Sequence, residues 1–168
     1  MSRILLVLAV LLATAGAVIA YGDPVRIARG NGTVSDLLRS RTAMRAVQIS
    51  RGQAGEFALQ ARINGVSAPM VIDTGATSVV LTYETAKAAG LPLELLEYDV
   101  DLETAGGHTK AARLTLDRLG IGKLVERSVP ALVVPRGQMK TNLLGVSFLD
   151  RLESWEVRAD SLKLRGYP

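Results

Sequence analysis

The sequence predicts a small, mainly β domain with one or two short helices, set behind an N-terminal membrane segment. Three observations predict it: short runs in which apolar and polar residues alternate with period two, glycine-bearing turns between those runs, and one uninterrupted apolar stretch at the amino terminus. The 168 residues suffice for one domain of ordinary size plus an accessory segment, and are too few for two.

Composition removes several kinds of chemistry. Cysteine is absent, so neither a disulfide framework nor a thiolate metal site is available. His108 is the single histidine, which excludes a zinc site of clustered imidazoles and leaves any Ser-His or Cys-His nucleophile to that one residue. The net charge of +4 is unevenly spread: residues 1–44 hold five Arg against two Asp, while residues 45–168 hold ten Arg and five Lys against fourteen acids. The body of the chain is therefore nearly neutral. It has no basic run interleaved with aromatics, so nucleic acid is not an expected partner.

Along the chain, residues 1–21 read as an N-terminal transmembrane anchor or signal segment. The apolar run 4–20 has seventeen residues, about 25 Å of helix, between the length of a signal-peptide core and that of a spanning helix. An uncleaved single-pass anchor is the expectation, because the run fills most of a bilayer and Tyr21 suits the interface. Cleavage after Ala20 is the alternative. The expected location is a bacterial inner membrane with the following domain on the periplasmic side, although Arg3 on one flank and Arg26 and Arg29 on the other leave charge silent on orientation. Residues 22–44 mix Gly, Pro, Arg and Ser with little periodicity and read as a stalk.

Residues 45–168 are the domain. "AVQISR" and "EFALQARI" alternate, Asn64-Gly65 supplies a hairpin turn, and "VSAPMVID" returns as the next strand. "SVVL" follows, then a helix over "TYETAKAAGLP" with Thr82 as N-cap, Gly90 at its C-terminal end and Pro92 beyond. "YDVDLETA" and "HTKAARLTL" flank Gly106-Gly107 as a second hairpin. "ERSVPALVVP" is a strand, "LLGVSFLDRL" enters a short helix, and "SWEVR" with "LKLR" make a closing hairpin. Phe148 and Trp155 are assigned to the core, and His108 to solvent.

The stretch "APMVIDTGATSVVL" sends a lone carboxylate, Asp73, out of one apolar strand and into a tight turn before another. The plain alternative is that Asp73 caps its own turn. The neighbours Val71, Ile72, Val79, Val80 and Leu81 argue for burial, and a buried unpaired carboxylate is expensive, so a chemical role is the better reading. A phosphate-gripping loop of the actin and sugar-kinase type needs two large domains and a second Asp-x-Gly loop. A phosphorylated Asp wants a second Asp two residues on or a Lys after the first. Neither fits Thr74 and Gly75 in a chain this short.

On "VIDTGATSVVL", the glycine-tipped "ETAGGHTKAARL" and the element Leu143-Leu144-Gly145 of "LLGVSFLDRL", in that order, the chain resembles the retropepsin-like aspartic proteases, and among them the bacterial membrane-anchored single-lobe type. The resemblance spans about residues 45–165. It implies a small closed β-barrel-like domain, a polypeptide substrate, neither a metal nor an organic cofactor, and Asp73 as the catalytic residue. It further implies Thr74, Gly75 and Ala76 as the active-site turn, Gly106 and Gly107 as the tip of a flap over substrate, and Leu143, Leu144 and Gly145 as structural support. Two carboxylates a few Å apart cannot both be ionised; one polarises water and the other donates to the carbonyl oxygen. This chain has one Asp-Thr-Gly, so the second implied carboxylate comes from a second copy related by a twofold axis, a homodimer. The competing reading is a catalytically silent module of the same fold that binds peptides or dimerises at the membrane.

Overall fold

The computed structural model describes residues 45–104 and 106–168; the apolar segment 4–20 and the stalk at 22–44 lie outside the described residues. Among the described residues no helix is long and apolar enough to cross a membrane. The elements run β1 (Ala46–Ser50), β2 (Phe57–Ile63), β3 (Val66–Ile72), β4 (Val79–Leu81), α1 (Tyr83–Ala88), a 3-10 turn (Leu93–Leu95), β5 (Val100–Thr104), β6 (Gly107–Ile121), β7 (Leu124–Val133), β8 (Asn142–Leu144), α2 (Val146–Leu149), β9 (Ser154–Val157) and β10 (Ser161–Arg165).

Six strands close on themselves in the order β2, β3, β8, β4, β7, β6, and the ring is sealed where Arg62 and Ile63 of β2 pair with Gly120 and Leu119 of β6. The fold is therefore mainly β with a closed barrel, as the sequence predicts. The seal lies beside the β2–β3 turn, where Asn64 (φ 50°) and Gly65 (φ 95°) both take the left-handed conformation that a two-residue hairpin turn demands. Asn64 also exchanges hydrogen bonds with Arg118 of β6: its N–H donates to the Arg118 carbonyl at 3.0 Å and its Oδ1 accepts from the Arg118 N–H at 3.1 Å. One turn thus reverses the chain and pins the barrel shut.

The barrel interior is filled by alternate residues of its strands, among them Ala61, Ile63, Met70, Leu81, Leu116 and Leu144, with Phe148 of α2 closing one end. β4 is buried on both faces: Val79 and Leu81 enter this core, while Val80 joins a second, smaller apolar cluster with Ala111 and Val134. A short strand with neighbours on both sides and both faces covered reads as a continuous apolar run, which is what "VVL" is.

Outside the ring, β5 pairs only with the first residues of β6, from Thr104↔Gly107 to Val100↔Ala111, and beyond Ala111 the same strand continues into the barrel against β7. β6 therefore reaches Ile121, past the "HTKAARLTL" that the sequence suggests, and turns at Gly122 (φ 57°) into β7. A separate antiparallel sheet of β1, β10 and β9 carries both ends of the domain. Arg51 ties it to the barrel: its guanidinium donates to the carbonyls of Ala159 at 2.8 Å and Arg158 at 3.2 Å and lies 4.4 Å over the Phe57 ring. β9 is an edge strand of this sheet and all four of its residues are exposed, so Trp155, 36 % exposed, is not the core residue the sequence suggests; Phe148 is.

Candidate active site

The turn that carries Asp73 joins β3 to β4, yet these strands are not neighbours. β8 lies between them, parallel to β3 (Val71↔Leu143, Ile72↔Leu144) and antiparallel to β4 (Val80↔Leu143). The turn must therefore pass across the end of β8, and Gly145 follows from that crossing: a Cβ there would stand 2.2 Å from the Ser78 carbonyl oxygen and 2.6 Å from that of Ala76. With only a hydrogen at Gly145 the two segments come close enough to bond. The Asp73 N–H donates to the Leu144 carbonyl at 3.1 Å, the Val146 N–H to Ala76 at 2.9 Å and the Ser147 N–H to Thr77 at 3.0 Å. The apolar-apolar-Gly element is the floor on which the Asp-Thr-Gly turn rests.

Within the turn, the Gly75 N–H donates to Asp73 Oδ1 at 2.8 Å, and a Cβ on Gly75 would come 3.1 Å from the same oxygen. The Ala76 N–H donates to the Asp73 carbonyl at 3.2 Å. Ile72 and Val79, on either side, are buried, whereas Asp73 and Ala76 are half-buried and Thr74 and Gly75 exposed. The carboxylate sits at the boundary between core and solvent, held on one oxygen by the Gly75 N–H, with the other oxygen left free of this turn.

That free side opens into a cavity of about 560 Å³, lined by Asp73 and residues 75–78 of the turn, by residues 102–104 and Gly106 of the β5–β6 hairpin, and by residues 138–141 of the loop that leads into β8 and Leu143 of that strand. At the tip, Gly107 takes φ 111°, Thr104 Oγ1 donates to the Gly107 carbonyl at 2.9 Å, and the Gly106 N–H donates to Thr104 Oγ1 at 3.2 Å. Lys110 of β6 reaches across to Asp101 of β5 at 2.6 Å, and its hydrogen bond and charge hold the Asp101 carboxyl below the usual carboxylate range. His108 is exposed beside the tip.

Several residues around the site escaped the sequence. Asn142 is buried at the start of β8: its Oδ1 accepts from the Thr82 N–H at 2.9 Å, and its Nδ2 donates to the Pro69 carbonyl at 2.7 Å and to Thr85 Oγ1 at 2.9 Å. One amide therefore ties β3, β8 and the cap of α1 together, just behind the turn. Its only signal was a polar residue immediately before an apolar pair. Leu102, Met139 and Lys140 line the cavity from segments that periodicity leaves as hairpin and loop. Among the described residues no cluster of three or more His, Cys, Asp or Glu side chains is placed to hold a metal ion.

Comparison with known proteins bears on this geometry directly. A family model described as aspartyl protease matches residues 59–148, from β2 through α2. The chain is 39 % identical over 111 residues to the uncharacterized protein in the cobV 5' region of a Sinorhizobium species, covering 66 % of this chain and 48 % of that protein. It is 32 % identical over 123 residues to an uncharacterized protein of Rickettsia prowazekii, covering 73 % and 52 %. The chain thus spans about half the length of the curated relatives it matches. Among solved structures, a retropepsin-like aspartic protease from Rickettsia conorii superposes with a TM-score of 0.63 at 32 % identity, covering 72 % of this chain and 90 % of that one. EIAV protease, solved with an inhibitor, shares the fold at a TM-score of 0.50 and 17 % identity, covering 64 % and 97 %.

Proposed function

The chain belongs to the aspartyl protease family with a retropepsin-like fold, and on that premise we propose that it is an endopeptidase whose water is activated by two Asp73 carboxylates, one from each subunit of a homodimer. The observation that carries the reading is the position of Asp73: a half-buried carboxylate on a turn stitched to its own floor, at the mouth of a cavity under a hairpin. The chemistry needs one ionised carboxylate to take a proton from water and one protonated carboxyl to donate to the scissile carbonyl oxygen. Asp73 does one of these at a time. A second copy supplies the other with the same geometry.

The attacking water adds to the carbonyl carbon, the carbonyl oxygen takes the proton of the neutral carboxyl, and the tetrahedral intermediate collapses as the leaving amine accepts a proton from the pair. Gly75 holds one oxygen of Asp73 by its N–H, which fixes the plane of the carboxylate. Thr74, exposed next to it, is assigned the contact across the twofold axis beneath the pair. Gly106 and Gly107 let the flap close over an extended peptide and exclude water. Leu143, Leu144 and Gly145 keep the turn in register. The apolar segment 4–20 is assigned to a membrane anchor with the domain on the periplasmic side, which raises the effective concentration of chains for dimerisation.

The test is cleavage of a denatured-protein mixture by the full-length protein and by Asp73→Asn at acidic and neutral pH. The proposal expects new termini in the wild type and a loss of about 10³-fold or more in the variant. Equal cleavage by both proteins would reduce Asp73 to a turn cap.

A further inference from the structure

We propose that Lys140 selects substrates carrying an acidic side chain beside the apolar residue that fills the cleft, so that the preferred peptide is apolar at the scissile bond and acidic on both flanks. This rests on the endopeptidase reading of the same site. The centre of the cavity is apolar: Leu102 of the flap, Met139 and Leu143 pack against the small cluster of Val80, Ala111 and Val134. A side chain entering there is an apolar one.

Charge enters only at the rim. Of the residues lining the cavity, three are charged: Asp73 in the turn, Glu103 on the flap and Lys140 on the opposite loop. Lys140 also lines a neighbouring groove of about 440 Å³ that runs over β2 and β3 past Gln60, Pro69 and Val71, and it is the one charged residue lining that groove. It therefore stands where a peptide leaving the cleft would cross from one depression into the next. The two carboxylates repel an acidic side chain elsewhere in the cavity, so the junction at Lys140 is where one is accepted.

The ammonium is also at liberty to do this. On the flap, Lys110 is engaged by Asp101 at 2.6 Å and Arg113 by Asp99 at 3.2 Å, whereas Lys140 is exposed and joins none of the ion pairs among the described residues. A twofold axis through paired Asp73 residues repeats Lys140 on the far side of the scissile bond, which is why both flanks are specified. An exposed ion pair discriminates by about fivefold at its upper end, so two flanks give roughly 25-fold, screened at high salt.

The experiment uses full-length protein and three fluorogenic peptides with one apolar centre and flanks of Glu, Gln or Lys. Wild type should order them Glu, Gln, Lys by kcat/KM, with the spread shrinking at 1 M salt; Lys140→Gln should flatten the order and Lys140→Glu reverse it. Peptide binding to Asp73→Asn, with and without Lys140→Glu, reads the same order without hydrolysis. Cleavage with no dependence on the flanks, or an order that survives Lys140→Glu, overturns the inference alone. Binding in the predicted order with no cleavage by wild type upholds it and overturns the endopeptidase reading. Neither binding nor cleavage overturns both.

Discussion

At Gly145 a single hydrogen atom stands where a methyl group would meet two carbonyl oxygens, those of Ser78 and Ala76. The neighbours are backbone, which cannot swing aside as a flexible side chain would. Gly145→Ala should therefore destabilise the domain by about 1–3 kcal/mol and lift the Asp73 turn from its floor. Activity should fall further than the stability loss alone explains, as read by peptide cleavage at a temperature where the variant is still folded by circular dichroism. Full activity in a folded Gly145→Ala protein would mean that the turn does not depend on this crossing. Gly145 could be found in the sequence because it belongs to the apolar-apolar-Gly element on which the family resemblance rests. Asn142, three residues earlier, could not be. Its three hydrogen bonds go to Pro69, Thr82 and Thr85, far away in the chain, and nothing local distinguishes a buried amide from a solvated one.

The elements divide in the same way. Hairpins were legible because their turns are written in adjacent residues: Asn64-Gly65 joins β2 to β3 and Gly107 opens β6, each with positive φ at a residue suited to it. The cap of α1 was legible too, with Thr82 Oγ1 accepting from the Thr85 N–H at 3.2 Å and Gly90 at φ 71° just past the helix. The parallel pairings of β8 with β3 and of β7 with β4 join strands some fifty to seventy residues apart, and no local pattern records them. At the flap, the pair of Asp101 with Lys110 fixes a pH dependence. Because the folded state holds the Asp101 carboxyl below its ordinary value, the pair's contribution is present above the ordinary carboxylate range and is lost as pH falls through the lowered value. Carboxyl titration by NMR should show the Asp101 midpoint rising toward its usual value in Lys110→Gln. An unchanged midpoint would mean that the pair is not formed in solution.

For the molecule as a whole, a closed barrel with its site at the boundary of core and solvent leaves Asp73, Thr74 and Gly75 half-buried or exposed in the single chain. Sequence reasoning placed the carboxylate in an apolar setting, and the strands on each side are apolar. The turn itself is not covered by them, because β8 occupies the space between β3 and β4 and pushes the crossing to the rim. A second copy is what the proposed chemistry requires there. The most direct measurement is a mixing titration: Asp73→Asn chains are added to a fixed amount of wild type, at concentrations where wild-type activity per chain is constant, and peptide cleavage is followed. If each site takes one carboxylate from each subunit, mixed dimers are inactive and, with the amount of wild type fixed, activity falls in direct proportion to the wild-type fraction among the chains. Activity that stays constant as Asp73→Asn chains accumulate would show that one chain completes the site alone.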